Sequence, residues 1–226
     1  MKGNNLVNEL FENPDSFIED GKGYDLLQEY FNGLTLDTLI PLLNSGNDLI
    51  QGEAVWIASE LGEKGCNFLL DSIIPLTNHN DTSIKYFALE CVFLGTFNDR
   101  FDDFIYLINA IGSEIEYISY SSMHLISNAS NNQLEACKNI DLYIEHGVDN
   151  CEQHLEGIQS LLDSDRIKRE DVFKMINSDH NHITQKYGAI ICKKKYTEQP
   201  EWINFVLMNP NVEKFGKEVI ELLSED

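Results

Sequence analysis

A pattern of five identical residues occurs twice in this chain, 34 residues apart, and it constrains the fold more than any other feature. The identical pairs are Pro41 and Pro75, Leu42 and Leu76, Asn44 and Asn78, Ile50 and Ile84, and Ala54 and Ala88. The core of the pattern (apolar residue, Asn, apolar residue) recurs as Leu107, Asn109, Ile115, as Met175, Asn177, Ile183, and in relaxed form as Leu207, Asn209, Phe215. Repetition at this period predicts one supersecondary unit used several times.

Each copy predicts a helix, a short polar loop and a second helix. Asn tolerates the left-handed conformation at a helix end, so we expect the first helix to stop there. Asp48, Asp81 and Ser113 are placed to start the second helix, where each would accept a hydrogen bond from a free backbone N–H. Pro41 and Pro75 fall inside the first helix and predict a bend, because proline removes one backbone hydrogen bond.

The second helix of the first copy has apolar residues at helical spacing. They are Ile50, Ala54, Ile57 and Leu61. This spacing predicts one buried side, and Ala allows a neighbouring helix to approach closely. The remaining helices are predicted at 4–11, 15–18, 24–31, 132–145, 151–162, 200–208 and 211–223, with a repeat over 171–195.

Paired helices with a period in the low thirties are typical of an α-solenoid, so the predicted fold class is all-α. Over Thr35 to Lys195 the pattern resembles HEAT and armadillo repeats. We therefore expect one repeat domain over 1–226, with cap helices over 1–34, repeats over 35–195 and closing helices over 196–226. The alternative is unrelated amphipathic hairpins with a common loop, and four copies at one internal spacing disfavour it.

The formal net charge is -22, and it is unevenly distributed. Residues 1–165 contain 28 acidic and 6 basic residues, whereas residues 166–226 contain 10 of each. Such a chain repels nucleic acid and anionic membrane and attracts cationic proteins. A role of the charge in solubility alone stays open.

Location in the cytosol is the expectation. No apolar run approaches the ~20 residues that a membrane span needs. The first residues, MKGNN, contain no apolar signal core. The chain has five cysteines and no Cys-x-x-Cys pair, which favours reduced thiols in the core over a disulfide framework.

Catalysis is not predicted, and no cofactor is expected. The best metal candidate is the set His146, Asp149, Cys151 and His154, whose side chains are all possible zinc ligands, but its spacing matches no known zinc module. The pair His180 and His182 is better explained by a helix-capping loop. The chain contains no nucleophile elbow and no glycine-rich phosphate loop.

A partner-binding surface is the remaining candidate site. In a two-helix solenoid the second helices line the concave face. The candidate residues there are Glu53, Trp56, Glu60, Phe87, Glu90, Glu116, Tyr117 and Tyr120. Aromatic anchors among carboxylates suit a partner that presents Lys and Arg. The alternative is that Trp56 and Phe87 belong to the core between repeats.

In overall character and in the repeat over Leu39 to Gly95, the chain resembles immunity proteins of bacterial toxin systems such as contact-dependent growth inhibition. This resemblance implies an inhibitor that covers the active site of a basic toxin, often a nuclease. We expect the chain to be a monomer in the cytoplasm. The resemblance transfers no individual functional residue. The alternative is a HEAT-like scaffold or adaptor in a bacterial complex, without an inhibitory role.

Overall fold

The protein is all-α. The computed structural model describes residues 2–178, 182–196, 200–209, 212 and 215–224, with the side chain of residue 196 left out. These residues form sixteen α-helices and three 3₁₀-helices and contain no strand. The chain divides into two compact units, residues 1–100 and 101–226, which are described separately below. Within the described residues, no helix combines the length and apolar character that crossing a bilayer requires.

The first unit, as described from residue 2 onward, contains seven α-helices. They are α1 (Lys2–Glu12), α2 (Pro14–Glu19), α3 (Lys22–Phe31), α4 (Ile40–Leu43), α5 (Asp48–Glu60), α6 (Gly62–Ile73) and α7 (Thr82–Gly95), with 3₁₀-helices over Leu36–Thr38 and Ile74–Asn78. Helix α7 packs against both α5 and α6. Helix α2 begins at Pro14, one residue before the predicted start, and proline in the first turn of a helix needs no backbone donor.

The second helices of the two clear repeats start at the same register position. Asp81 accepts hydrogen bonds from the backbone N–H groups of Ser83 and Ile84, as predicted. In the first repeat the cap is Asn47 rather than Asp48, and it bonds to Leu49 and Ile50. The prediction of Asp48 was wrong by one residue because Asp48 lies within the first turn. Asn47 and Asp81 are 34 residues apart, which is the period of the repeat.

The two prolines begin helical segments rather than bend long helices. Pro41 is in the first turn of the short helix α4, and Pro75 is in the first turn of the 3₁₀-helix that continues α6. The predicted bend within one helix is therefore a break into two segments. Proline is favoured in a first turn, where its missing N–H has no intrahelical partner in any case.

The buried side of the repeat helices is mostly as predicted. Ile50, Ala54 and Ile57 are buried, and Ala88 is buried at the equivalent position of α7. Leu61 is only partly buried, because α5 ends at Glu60 and Leu61 lies in the turn to α6. The end of α7 lies very close to α6: a Cβ on Gly95 would be 3.1 Å from the backbone nitrogen of Asn67.

The described residues of the second unit form nine α-helices. They are α8 (Ile105–Ala110), α9 (Glu116–Ser127), α10 (Asn131–Ala136), α11 (Ile140–Glu145), α12 (Cys151–Leu162), α13 (Arg169–Ile176), α14 (His182–Tyr196), α15 (Pro200–Leu207) and α16 (Lys217–Ser224), with a 3₁₀-helix over Phe101–Phe104. Helix α14 lies at the centre of this unit and packs against α9, α12, α13, α15 and α16.

The third copy of the repeat is displaced from the predicted register. Ile115 is 37% exposed and lies just before α9, whereas Ile118 is buried at the third position of that helix. Ile84 occupies the same position in α7, and the two residues are again 34 apart. Ser113 accepts a hydrogen bond from the backbone N–H of Ile115, so it stabilises the preceding turn and does not cap α9.

Two predicted helices of this unit had wrong bounds. The helix predicted over 132–145 is split into α10 and α11, because Ser130 forms a capping box with Gln133 and Asn139 caps a new start. The helix predicted over 211–223 begins only at Lys217, which leaves Phe215 buried in the preceding turn. Helix α12 has the predicted bounds.

Three hairpins have a buried polar side chain that bonds the end of the first helix. Gln51 donates to the carbonyl oxygen of Leu43 at 2.7 Å, and Ser119 donates to that of Ile111 at 2.8 Å. Gln185 donates to the carbonyl oxygen of Ser178 at 2.9 Å. The carbonyl groups of Leu43 and Ile111 are at a helix end and have no intrahelical partner, whereas Ser178 lies just past the C-cap of α13.

Candidate functional site

Five of the predicted partner-binding residues lie on two packed helices of the first unit. Glu53, Trp56 and Glu60 are on α5, and Phe87 and Glu90 are on α7. We call these five residues the acidic face. Trp56 and Phe87 pack on the same hydrophobic core, and the charge of Glu60 acts on Glu90. The structure therefore brings these residues together on neighbouring helices.

The two aromatic side chains of the acidic face are partly buried. Each ring therefore packs partly on the core, as the alternative interpretation predicted, and partly faces the surface. Trp56 makes an edge-to-face contact with Tyr24 of α3, with ring centroids 5.0 Å apart. Phe87 makes a similar contact with its neighbour Tyr86, at 5.2 Å. Both rings keep some exposed area, so they can serve as anchors with restricted motion.

Two carboxylates of the acidic face are held in an unfavourable environment. Burial raises the pKa of Glu53, and burial together with the nearby charge of Glu60 raises the pKa of Glu90. Among the described residues, neither has an ion pair or hydrogen bond. By contrast, Glu9 and Asp20 of the same unit both bind Lys22. The acidic face thus contains carboxylates that have lost water without gaining a partner.

Glu53 reaches a small cleft between α5 and the start of α3. A Cβ placed on Gly23 would be 1.5 Å from Oε1 of Glu53, so only glycine leaves room for this carboxylate. In the sequence, Gly21 and Gly23 predict a break between two helices. The second role of Gly23, as space for a side chain of another helix, needs the tertiary structure to be recognised.

The other three predicted residues lie on α9 of the second unit. Glu116 is exposed and forms an ion pair with Lys217, with 3.2 Å between the nitrogen and oxygen atoms. Tyr117 is half-exposed, and Tyr120 is partly buried. Because Glu116 already has a cationic neighbour, its charge is less available to a partner than the charges of the acidic face.

The second unit also contains a cleft of about 620 Å³ that sequence analysis missed. Lys186 of α14 lies at this cleft, nearly buried, and its Nζ binds Glu218 at 3.0 Å and the carbonyl oxygen of Ile111 at 2.9 Å. The position of this lysine within the apolar run of α14 could have indicated a buried ion pair from the sequence, because a buried ammonium group requires a partner. Its partner Glu218 is too distant in sequence to be identified without the structure.

The candidate metal ligands bind protein atoms instead. Nδ1 of His146 is 2.9 Å from the carbonyl oxygen of Leu142, and Sγ of Cys151 donates to that of Val148. Asp149 is exposed. Within the described ranges, no three His, Cys, Asp or Glu residues are grouped as a metal site. His180 lies outside the described residues.

His154 is a buried core residue. Its Nδ1 shares a hydrogen bond of 3.1 Å with the hydroxyl group of Tyr187, which is also fully buried. Burial, and to a lesser extent the charge of Lys186, lower the pKa of His154 from 6.5 to about 4. The side chain is therefore neutral at pH 7 and holds two core helices together.

Comparison with known proteins shows a likeness of fold and nothing more. No model of a known protein family matches the chain, and no curated protein matches it at a significant level. One solved structure that matches is the crystal structure of an engineered protein from the Northeast Structural Genomics Consortium. It is 12% identical, has a TM-score of 0.51, and the match covers 99% of this chain and 94% of that one. Likeness at this identity concerns the fold alone.

Proposed function

We propose that this chain is an acidic protein-binding module, and more specifically a cytoplasmic immunity protein that binds and neutralises a basic toxin, such as a nuclease, by covering its active site. The observation that carries this proposal is the acidic face, where Glu53 and Glu90 are half-buried beside Trp56 and Phe87 and have no cationic partner among the residues that the structure describes. In this mechanism the chain performs no catalysis and needs no cofactor.

We also propose that the hairpins form an α-solenoid of HEAT-like repeats. Its support is the period of 34, which relates Asn47 to Asp81 as helix caps and Ile84 to Ile118 as buried residues. The buried polar bonds of Gln51 and Ser119 follow twice this period. A recurring unit of this kind presents equivalent helix faces side by side, which suits an extended protein surface.

Charge supports a cationic protein as the partner. Residues 1–100 contain 16 acidic and 5 basic residues, a net of −11. Such a surface accelerates the approach of a basic protein and repels DNA, RNA and anionic lipid. Carboxylates would occupy the groups with which a nuclease holds phosphate, and the aromatic rings would supply buried contact area.

Affinity capture from the source cells, including the products of neighbouring reading frames, tests this proposal. A single stoichiometric basic partner that is toxic when expressed alone, and harmless with this chain, is the expected result. The association rate should fall steeply between about 50 mM and about 500 mM salt, because screening removes long-range attraction. A basic partner without toxicity would instead support the scaffold alternative, and a salt-independent rate would contradict charge steering.

A matched pair of triple variants tests the location of the site. The first, E53Q/E60Q/E90Q, removes three charges from the acidic face. The control, E12Q/D15N/D37N, removes three charges from exposed positions of the same unit. Both variants have the same net charge, so a loss of partner affinity in the first variant alone would support the acidic face as the binding site. Equal losses would mean that overall charge, and not this face, determines binding.

A further inference from the structure

A cleft of about 230 Å³ opens beside Glu53 in the first unit. It is lined by Ile18, Gly21, Gly23, Tyr24, Glu53 and Trp56. This volume is below the range of roughly 300–1,000 Å³ that is typical of small-molecule sites. The cleft therefore has the size for one side chain of a partner rather than for a cofactor.

The chemistry of the lining selects a cation. Glu53 supplies the only charged side chain among the lining residues that the structure describes. Lys22, which follows Gly21, does not neutralise Glu53, since its Nζ binds Glu9 at 2.7 Å and Asp20 at 2.8 Å. An anion in the cleft would meet the carboxylate of Glu53, and none of the other lining residues is a cation that could offset the repulsion.

The aromatic residues of the cleft favour a flat cation. Tyr24 is 69% exposed and meets the edge of Trp56 at an interplanar angle of 72°. A guanidinium group can stack on such a ring and donate two parallel hydrogen bonds to one carboxylate. An ammonium group is a compact point charge and matches only the charge.

We propose that this cleft binds the side chain of one arginine of the partner, with the guanidinium group on Glu53 and against Tyr24 and Trp56. This assignment rests on the proposed function and specifies the partner group that the acidic face recognises. Burial raises the pKa of the unpaired Glu53 carboxyl, and the bound guanidinium would reverse this shift. Arginine would thus be bound as an anchor in the first unit.

A probe that needs no partner tests the cleft. The indole N–H signals of Trp56 and Trp202 are recorded by ¹⁵N NMR and assigned with Trp56→Phe, while N-acetyl-arginine amide is added to the full chain. We expect the Trp56 signal alone to shift with millimolar affinity. N-acetyl-lysine amide should bind more weakly, and the neutral citrulline analogue should leave the signal unchanged.

Glu53→Gln keeps the shape of the side chain and removes its charge, and it should weaken arginine binding by roughly tenfold or more. Glu12→Gln, at an exposed position of α1, is the control and should bind as the unaltered protein does. Equal binding of arginine and citrulline probes, or an unchanged affinity in Glu53→Gln, would overturn the assignment.

The cleft and the proposed function can fail separately. If the arginine probe does not bind but a basic partner is captured with a salt-dependent rate, the cleft assignment is wrong and the proposed function stands. If the probe binds as expected but no basic partner exists, the cleft assignment stands and the proposed function is wrong.

Discussion

Acid should destabilise this protein through one buried histidine. His154 is 1% exposed, and burial in the folded protein lowers its pKa from 6.5 to about 4. The unfolded chain therefore takes up this proton as the pH falls below about 6.5, whereas the folded protein takes it up only near pH 4. Between these values the unfolded state binds more protons, so stability falls as the pH falls.

The two pKa values set the size of the effect. Between about pH 7.5 and about pH 5, the difference in proton binding corresponds to about 2 kcal/mol of unfolding free energy, and the full shift corresponds to about 3 kcal/mol. Urea unfolding at both pH values, monitored by circular dichroism, measures this change in the free energy of unfolding. His154→Gln has no such proton, so it should lose about 2 kcal/mol less over the same pH interval.

His182→Gln is the control, because this imidazole is exposed on α14. It should retain the pH dependence of the unaltered protein. Glu53 and Glu90 act with the opposite sign, since their raised pKa values favour protonation in the folded state, but they are present in all three proteins and cancel in the comparison. An identical pH dependence in His154→Gln and the unaltered protein would refute the argument.

Three further results are expected. Asp81→Ala should lower stability by about 1 kcal/mol in urea unfolding, because α7 loses its N-cap, and a smaller loss in Asp81→Asn would show that capping is responsible. Gly157→Ala should lower the free energy of unfolding several times more than an average surface substitution does, because the new Cβ would be 2.2 Å from the ring of Tyr187. The melting temperature should fall accordingly, and an unchanged melting temperature would contradict this packing. Glu53→Gln and Glu90→Gln should leave stability equal or higher while they weaken partner binding, and a loss of both would indicate a structural role for the charges.

Sequence patterns predicted the helices of the first unit well because their signals are local. The cap at Asp81 and the buried stripe of α5 both depend on neighbours within a few residues. Errors arose where two local signals compete. Asn47 and Asp48 are both good capping residues, and only the backbone geometry decides between them.

The site was only partly predictable for a different reason. Helical spacing placed Glu53 and Trp56 on one side of α5, but the cleft also needs Tyr24 and Gly23 from α3, which precede them by about thirty residues in sequence. Contacts between separate helices leave no periodic signal. The same limit applies to the pair Lys186 and Glu218, which is brought together only by the packing of α14 on α16.

The buried bonds made by Gln51 and Ser119 have a consequence for how such a chain can diversify. The bonds of Gln51 and Ser119 each join the second helix of a hairpin directly to the end of the first, so the loop between those two helices need not hold them in place. Substitutions and insertions can then accumulate in the loops while the helix pairs keep their geometry. Related chains could then differ in the length and sequence of these loops while the helices that present the acidic face stay in place.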